Sequence, residues 1–243
     1  MKVILFALFV ALLMVGCGEG LLLEKLHLNG KHTEYYDDGQ KKEEGNYKDS
    51  EKEGLWIEWY ENGKKKAEGN YKNGMKDGLA TGWYENGQKK AELNFRDGKK
   101  DGLYTSWYHN GQKKAEVKWK DGKMDGISTF WYENGHKEAE GNYKDGNQHG
   151  LVTGWYENGQ KKAEVNWKDG KMDGLSTLWY ENGHKGRESS WKGGKLMSAK
   201  GWKPTGEKCP VTNVKGINGV LVRYNDEGTE DVRFTYKAGV RVK

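Results

Sequence analysis

Gly54-Leu55-Trp56-Ile57-Glu58-Trp59-Tyr60-Glu61-Asn62-Gly63-Lys64-Lys65-Lys66-Ala67-Glu68-Gly69-Asn70-Tyr71-Lys72-Asn73-Gly74-Met75-Lys76-Asp77-Gly78 holds two short runs of strand-forming residues split by Asn-Gly. Asn and Gly both tolerate positive φ, so Asn62-Gly63 predicts a tight hairpin turn. No helical spacing of apolar residues is present. A two-residue turn would put the apolar positions of the two strands on opposite faces. A three-residue loop, Glu61-Asn62-Gly63, instead sets Trp59 opposite Lys65, Ile57 opposite Ala67 and Leu55 opposite Gly69. One face then gathers Leu, Ile or Thr, Trp, Ala and the aromatic at Tyr71. Register follows the face that is apolar, which favours the three-residue loop. Lys72 to Gly78 reads as the connection to the next hairpin.

The stretch repeats. Gly30, Gly54, Gly78, Gly102, Gly126, Gly150 and Gly174 recur with a 24-residue period, and each is followed nine positions later by another Gly. A third Gly column runs from Gly74 to Gly194, and Ser50 breaks it in the first unit. Gly219 restarts the pattern, three positions short of two full periods after Gly174. A period of this length marks a repeat architecture. The predicted fold is all-β: an elongated single antiparallel sheet meander of about eight 24-residue β-hairpin repeats. Its parts are a leader (1–16), a tether (17–29), seven repeats (30–194), a degenerate joint (195–218) and a C-terminal capping repeat (219–243).

Composition agrees with a thin sheet. Hydrophobic residues make up 34% and mean hydropathy is −1.05. Both are too low for a thick aliphatic core. Aromatics reach 12%. That is too high for simple disorder. Net charge is +5 from 41 basic and 36 acidic residues. So mild an imbalance gives nucleic acid no footing as a partner.

The chain starts Met1-Lys2, followed by an apolar run from Val3 to Val15, then Gly16-Cys17. The run is too short for a permanent membrane span. This start resembles a bacterial lipoprotein signal, which implies lipid on Cys17 and a cell-envelope location, at the outer membrane where one exists. The alternative is a plain secretory leader, and both readings place the mature chain outside the cytoplasm. With Cys17 acylated, Cys209 has no partner within the chain.

Columns of identical residues are the candidate surfaces. Trp59, Trp83, Trp107, Trp131, Trp155 and Trp179 form one, with Lys65, Lys89, Lys113, Lys137, Lys161 and Lys185 facing it. Tyr71 and its copies lie on the same face by this register, and Tyr60 and its copies on the other. The structural reading is that the rings are the core, each packed on its copy, with lysine over indole. The functional reading is an open aromatic groove, or a lysine ladder for an anionic partner or phospholipid headgroups. Lys66 and its copies are expected beside the Glu68 column.

No singular chemistry stands out. His136 and His184 occupy one repeat position two periods apart. Strand spacing puts them about 20 Å from each other, too far to share a metal. A column of glutamates lacks the specific pair that acid–base catalysis uses. Asp121-Gly122-Lys123-Met124-Asp125-Gly126 lacks alternating oxygen ligands for calcium. The expectation is no enzyme, no cofactor and no metal.

The Gly-x-x-Asp-Gly junctions, as in Gly122–Gly126, resemble MORN repeats, and so does Gly146-Asn147-Gln148-His149-Gly150. The 24-residue spacing and the Trp-Tyr-x-Asn-Gly turn are similar to the bacterial MORN-variant repeat, which also defines a YwqK-type antitoxin-like family. The resemblance covers residues 30–194 and 219–243 and implies a protein-interaction scaffold, with immunity or antitoxin action in some members. A cell-wall or glycan binder is the alternative. It rests on Gly-Trp-Tyr-Glu-Asn-Gly at Gly82–Gly87 and Gly154–Gly159, which is similar to choline- and glucan-binding repeats.

Overall fold

The computed structural model describes residues 28–242. The leader 1–16, Cys17 and tether residues 18–27 lie outside them.

The strands are β1 (Gly30–Tyr35), β2 (Lys41–Lys48), β3 (Glu51–Trp59), β4 (Lys65–Lys72), β5 (Met75–Trp83), β6 (Lys89–Arg96) and β7 (Lys99–Trp107). They continue as β8 (Lys113–Lys120), β9 (Lys123–Trp131), β10 (Lys137–Lys144), β11 (Asn147–Trp155), β12 (Lys161–Lys168) and β13 (Lys171–Trp179). The last are β14 (Lys185–Lys192), β15 (Lys195–Gly201), β16 (Asn213–Lys215), β17 (Asn218–Tyr224), β18 (Glu230–Lys237) and β19 (Val240–Val242). All belong to one sheet of 19 strands, each antiparallel to its sequence neighbour. The fold is therefore the all-β meander of hairpins that the 24-residue period predicts.

The Asn-Gly turn is the three-residue loop. The Tyr60 amide donates to the Lys64 carbonyl and the Gly63 amide to the Tyr60 carbonyl, both at 2.9 Å, and Gly63 takes φ 76°. The Asn62 side chain accepts the Lys64 amide at 3.0 Å, which fixes the loop from inside. Trp59 pairs with Lys65, as the loop requires.

One residue further the register slips. A bulge at Lys66 makes Glu58 the partner of Ala67, Ile57 of Glu68 and Leu55 of Asn70, in place of the expected Ile57–Ala67 and Leu55–Gly69 pairs. A single extra residue on one strand reverses which side chains share a face. The consequence runs through every unit. Trp56, Gly69, Ala67 and Tyr71 lie on one face, and Trp59, Ile57, Leu55 and Glu68 on the other. The Trp59 and Tyr71 columns are thus on opposite faces, not one. Tyr84, a copy of Tyr60, lines a cleft with Ala91, Tyr104 and Ser106. The Tyr60 column therefore shares the Tyr71 face.

The second connection is shorter than the sequence reading expects. Lys72 pairs with Met75 around a two-residue Asn73-Gly74 turn, at φ 48° and 73°. Both central residues are left-handed, the geometry that matches strand twist. Lys76, Asp77 and Gly78 are strand residues, and Gly78 sits in a second bulge opposite Asn70.

The apolar interior is thin through the repeats and thickens at the C-terminal end. Leu196, Ala199, Val214, Leu221 and Tyr236 form a buried cluster, with Trp191 and Phe234 against it. Within 195–218, Trp202-Lys203-Pro204-Thr205-Gly206 closes the same three-residue loop, with the Lys203 amide on the Glu207 carbonyl. The return strand is then only Asn213–Lys215.

Candidate functional site

The Trp and Lys columns do come together, one unit out of step with the expected pairing. Lys65 Nζ lies 5.7 Å from the ring centre of Trp83, in the next hairpin, rather than over Trp59. Lys89 sits over Trp107, Lys113 over Trp131, Lys137 over Trp155 and Lys161 over Trp179, at 5.5 to 6.0 Å. Lys41 covers Trp59 and Lys185 covers Trp202, at 5.7 and 5.4 Å. Each Lys stands on the strand between two Trp-bearing strands, and its four-carbon stem leans toward the later one. Trp202 is a member that the sequence reading leaves out of the column, because it stands 23 residues after Trp179, inside the stretch 195–218 that reads as a degenerate joint.

The same ammonium groups serve a second time. Lys65 Nζ donates to Glu68 Oε2 at 2.8 Å, and the pair recurs as Lys89–Glu92, Lys113–Glu116, Lys137–Glu140, Lys161–Glu164 and Lys185–Glu188. The Glu68 column therefore partners the Trp-facing lysines, not Lys66 and its copies. The bulge at Lys66 is the reason, since it puts Lys65 and Glu68 on one face. Lys66 itself turns to Glu58 at 3.5 Å. The hydrogen bond from Lys185 holds the Glu188 carboxyl below the usual carboxylate range. Exposed pairs of this kind contribute roughly 0–1 kcal/mol each, and lysine over indole about 0.5–1 kcal/mol. The ladder is a self-neutralised girder: its cations already have counter-ions and its indole faces already carry cations. Among the described residues, ring-to-ring contacts gather around Trp56 and at Tyr84–His109 instead of running down the Trp column.

The feature that the sequence reading puts in the core lies outside it. Leu55, Leu79, Leu103, Ile127, Leu151 and Leu175 are 47 to 65% exposed. They sit on the ladder's face, and Leu79 pairs with Asn94 as Leu55 pairs with Asn70. With two strands per unit, successive aliphatics stand about 10 Å apart. The result is an open row of aliphatic side chains flanked by charged pairs.

The opposite face is tied down. Each loop tyrosine donates its hydroxyl to the carbonyl of the next unit's tryptophan, as in Tyr60 to Trp83 at 2.7 Å. Loop asparagines reach the next loop's backbone, as in Asn110 to the Glu133 carbonyl at 3.1 Å. Asp125 accepts the Asp145 amide, so the junction acid of the expected non-calcium loop caps the neighbouring turn. His32, Glu34 and Glu43 converge at the first hairpin, with ligand atoms within 4.8 Å of one another. Cross-strand pairing brings them together, which spacing along the chain could not reveal. Lys42 and Lys52 already pair with the two carboxylates, at 2.7 and 3.6 Å.

A family model described as MORN repeat variant matches residues 28–49, 52–73, 76–97, 100–121, 124–145 and 148–169. No curated protein sequence matches the chain.

Proposed function

The chain belongs to the MORN repeat variant family, and on that premise we propose that it is an envelope-anchored protein-interaction scaffold. The row Leu55, Leu79, Leu103, Ile127, Leu151 and Leu175 carries the reading. A lone exposed leucine is ordinary, but a periodic line of aliphatics on one face presents apolar surface for a partner to cover. The Lys–Glu pairs beside it supply a polar rim, the layout of a protein-binding patch. A glycan would stack on indole faces, and lysines occupy those faces here, which favours the protein partner. Phospholipid headgroups would need free cations, and the ladder lysines are paired with glutamates. The anchor rests on Cys17 and its lipoprotein-type leader.

The test is affinity capture from envelope extracts with the full chain and with a Leu103→Glu/Ile127→Glu variant. A discrete protein retained by the first and lost by the second, at unchanged circular dichroism, is the expected result. Equal retention by both, or recovery of lipid alone, overturns the reading. In the same cells Cys17→Ser is expected to move the chain out of the membrane fraction.

A further inference from the structure

Among the departures of the unit 171–194 from its copies, two stand at adjacent positions. Lys66-Ala67, Lys90-Ala91, Lys114-Ala115 and Lys162-Ala163 become Gly186-Arg187. In three earlier units the lysine covers the loop tyrosine, with Lys90 Nζ 5.5 Å from the Tyr84 ring, Lys114 5.2 Å from Tyr108 and Lys162 5.3 Å from Tyr156. Gly186 has no such side chain, and a Cβ there would meet Tyr180 Cε2 at 2.9 Å. The Tyr180 ring occupies that space and carries no cation among the described residues.

A cavity of about 640 Å³ opens at this point. One wall comes from β12 to β14, with Leu178, Tyr180 and Arg187, and the other from β17 and the turn after it, with Leu221 and Tyr224. That volume is in the range of small-molecule sites. Arg187 Nε is shielded from solvent and has no hydrogen-bond partner, and Arg187 forms no ion pair among the described residues. Its neighbour Arg223 is committed to Asp231, with Nε–Oδ2 at 2.7 Å. Burial holds the Arg187 guanidinium below its usual range, and the charge of Arg223 adds to this. An arginine without an ion pair among the described residues, standing where five other units carry alanine, thus lines a mostly apolar space.

We propose that this cavity binds a small organic carboxylate with an apolar body. The guanidinium fork takes the carboxylate, and Leu178, Leu221 and the uncovered Tyr180 ring take the body. The proposal goes beyond the scaffold reading and does not depend on it, because the cavity is on the other face from the aliphatic row. Asp226 and Glu227 also line the space, so a ligand carrying only a cation is the direct competitor.

Isothermal titration calorimetry on the full chain with 3-phenylpropionate and with 2-phenethylamine separates the two. Saturable binding of the carboxylate and none of the amine is expected. Arg187→Gln should weaken binding roughly ten-fold or more, as loss of a charge-assisted hydrogen bond does. Gly186→Lys, which restores the residue of five other units, should abolish it. Binding of the amine as tight as the carboxylate, no binding of the carboxylate at millimolar concentration, or full affinity in a folded Arg187→Gln chain would each overturn the proposal. The comparison of the two probes uses the unaltered chain, so it stands even where a variant fails to fold.

Discussion

The Tyr84 hydroxyl donates a 2.7 Å hydrogen bond to the carbonyl oxygen of Trp107, across the whole of the intervening strand. Tyr84 follows β5 and Trp107 ends β7, so the bond ties together two strands that do not pair directly, with β6 between them. The same bond recurs from Tyr36–Trp59 to Tyr180–Trp202. Ordinary sheet pairing couples only adjacent strands. This column adds a link between successive units at the loop end, and nearest-neighbour links of that kind set the cooperativity of a repeat array.

Tyr108→Phe tests the link. It keeps the ring and removes the hydroxyl that reaches the Trp131 carbonyl at 2.7 Å. One intramolecular hydrogen bond contributes about 0.5–1.5 kcal/mol net, so urea unfolding should show a loss of that size. In the middle of the array the weakened interface should also broaden the transition, because the halves on either side can open separately. Tyr36→Phe, at the first unit, should cost less than Tyr108→Phe and leave the transition sharp. A sharp transition in Tyr108→Phe would show that the hydroxyl column does not carry coupling.

Gly45 and Trp56 are a matched pair. Trp56 is 3% exposed, donates its indole N–H to the Asn46 carbonyl at 3.1 Å and has Lys52 Nζ 3.7 Å above its ring. A Cβ on Gly45 would lie 2.2 Å from Trp56 Cδ2. Gly45→Ala must therefore push the indole off its seat, and overpacking of this kind costs about 1–3 kcal/mol. Trp56→Ala should cost about 3–5 kcal/mol through the cavity that it leaves. The double variant should be less destabilised than the sum, since the added methyl enters the vacated space. Strict additivity in denaturant unfolding would sink the pairing.

The turn chemistry was legible in the sequence because it depends on residues within four positions of one another. Asn62-Gly63 set the loop length, and the loop length set Trp59 opposite Lys65. The bulge at Lys66 was not legible, because nothing local distinguishes Lys66 from Lys65. Both have the same chemistry, and only the full sheet decides which is paired. That single residue exchanged the expected exposures of the Leu55 column and the Trp56 position. Periodicity does not single out Trp56, because it breaks its column, whose other members are His32, Ala80, Tyr104, Ser128, Val152 and Ser176. Arg187 breaks its own column in the same way. The repeat builds the girder, and its breaks build the Trp56 seat in the first hairpins and the cavity at Gly186-Arg187.

Tyr224 supplies the pH test. Its hydroxyl lies 3.2 Å from Cys209 Sγ, and Cys209 is buried and also accepts the Thr212 amide at 3.2 Å. Burial opposes the Cys209 thiolate, but the bonds from Thr212 and Tyr224 outweigh it and bring the thiol below its ordinary value. The hydrogen bond to Cys209, and burial after it, push Tyr224 up to about 12. A phenol in an unfolded chain titrates near 10. The fold therefore holds the protonated phenol more firmly than the unfolded chain does. That contribution to stability is fully present below about pH 10 and is lost as pH rises from there through about 12. The stability gap between the wild-type chain and Tyr224→Phe, measured by urea unfolding, should widen as pH rises through the Cys209 titration toward about 8.5, because Tyr224 favours the thiolate, and should shrink from about pH 10 toward about pH 12. In Cys209→Ala the Tyr224 ring, followed by carbon NMR of labelled tyrosine, should titrate closer to the ordinary phenol range. A Tyr224 titration unmoved by loss of the sulfur would remove Cys209 as the cause.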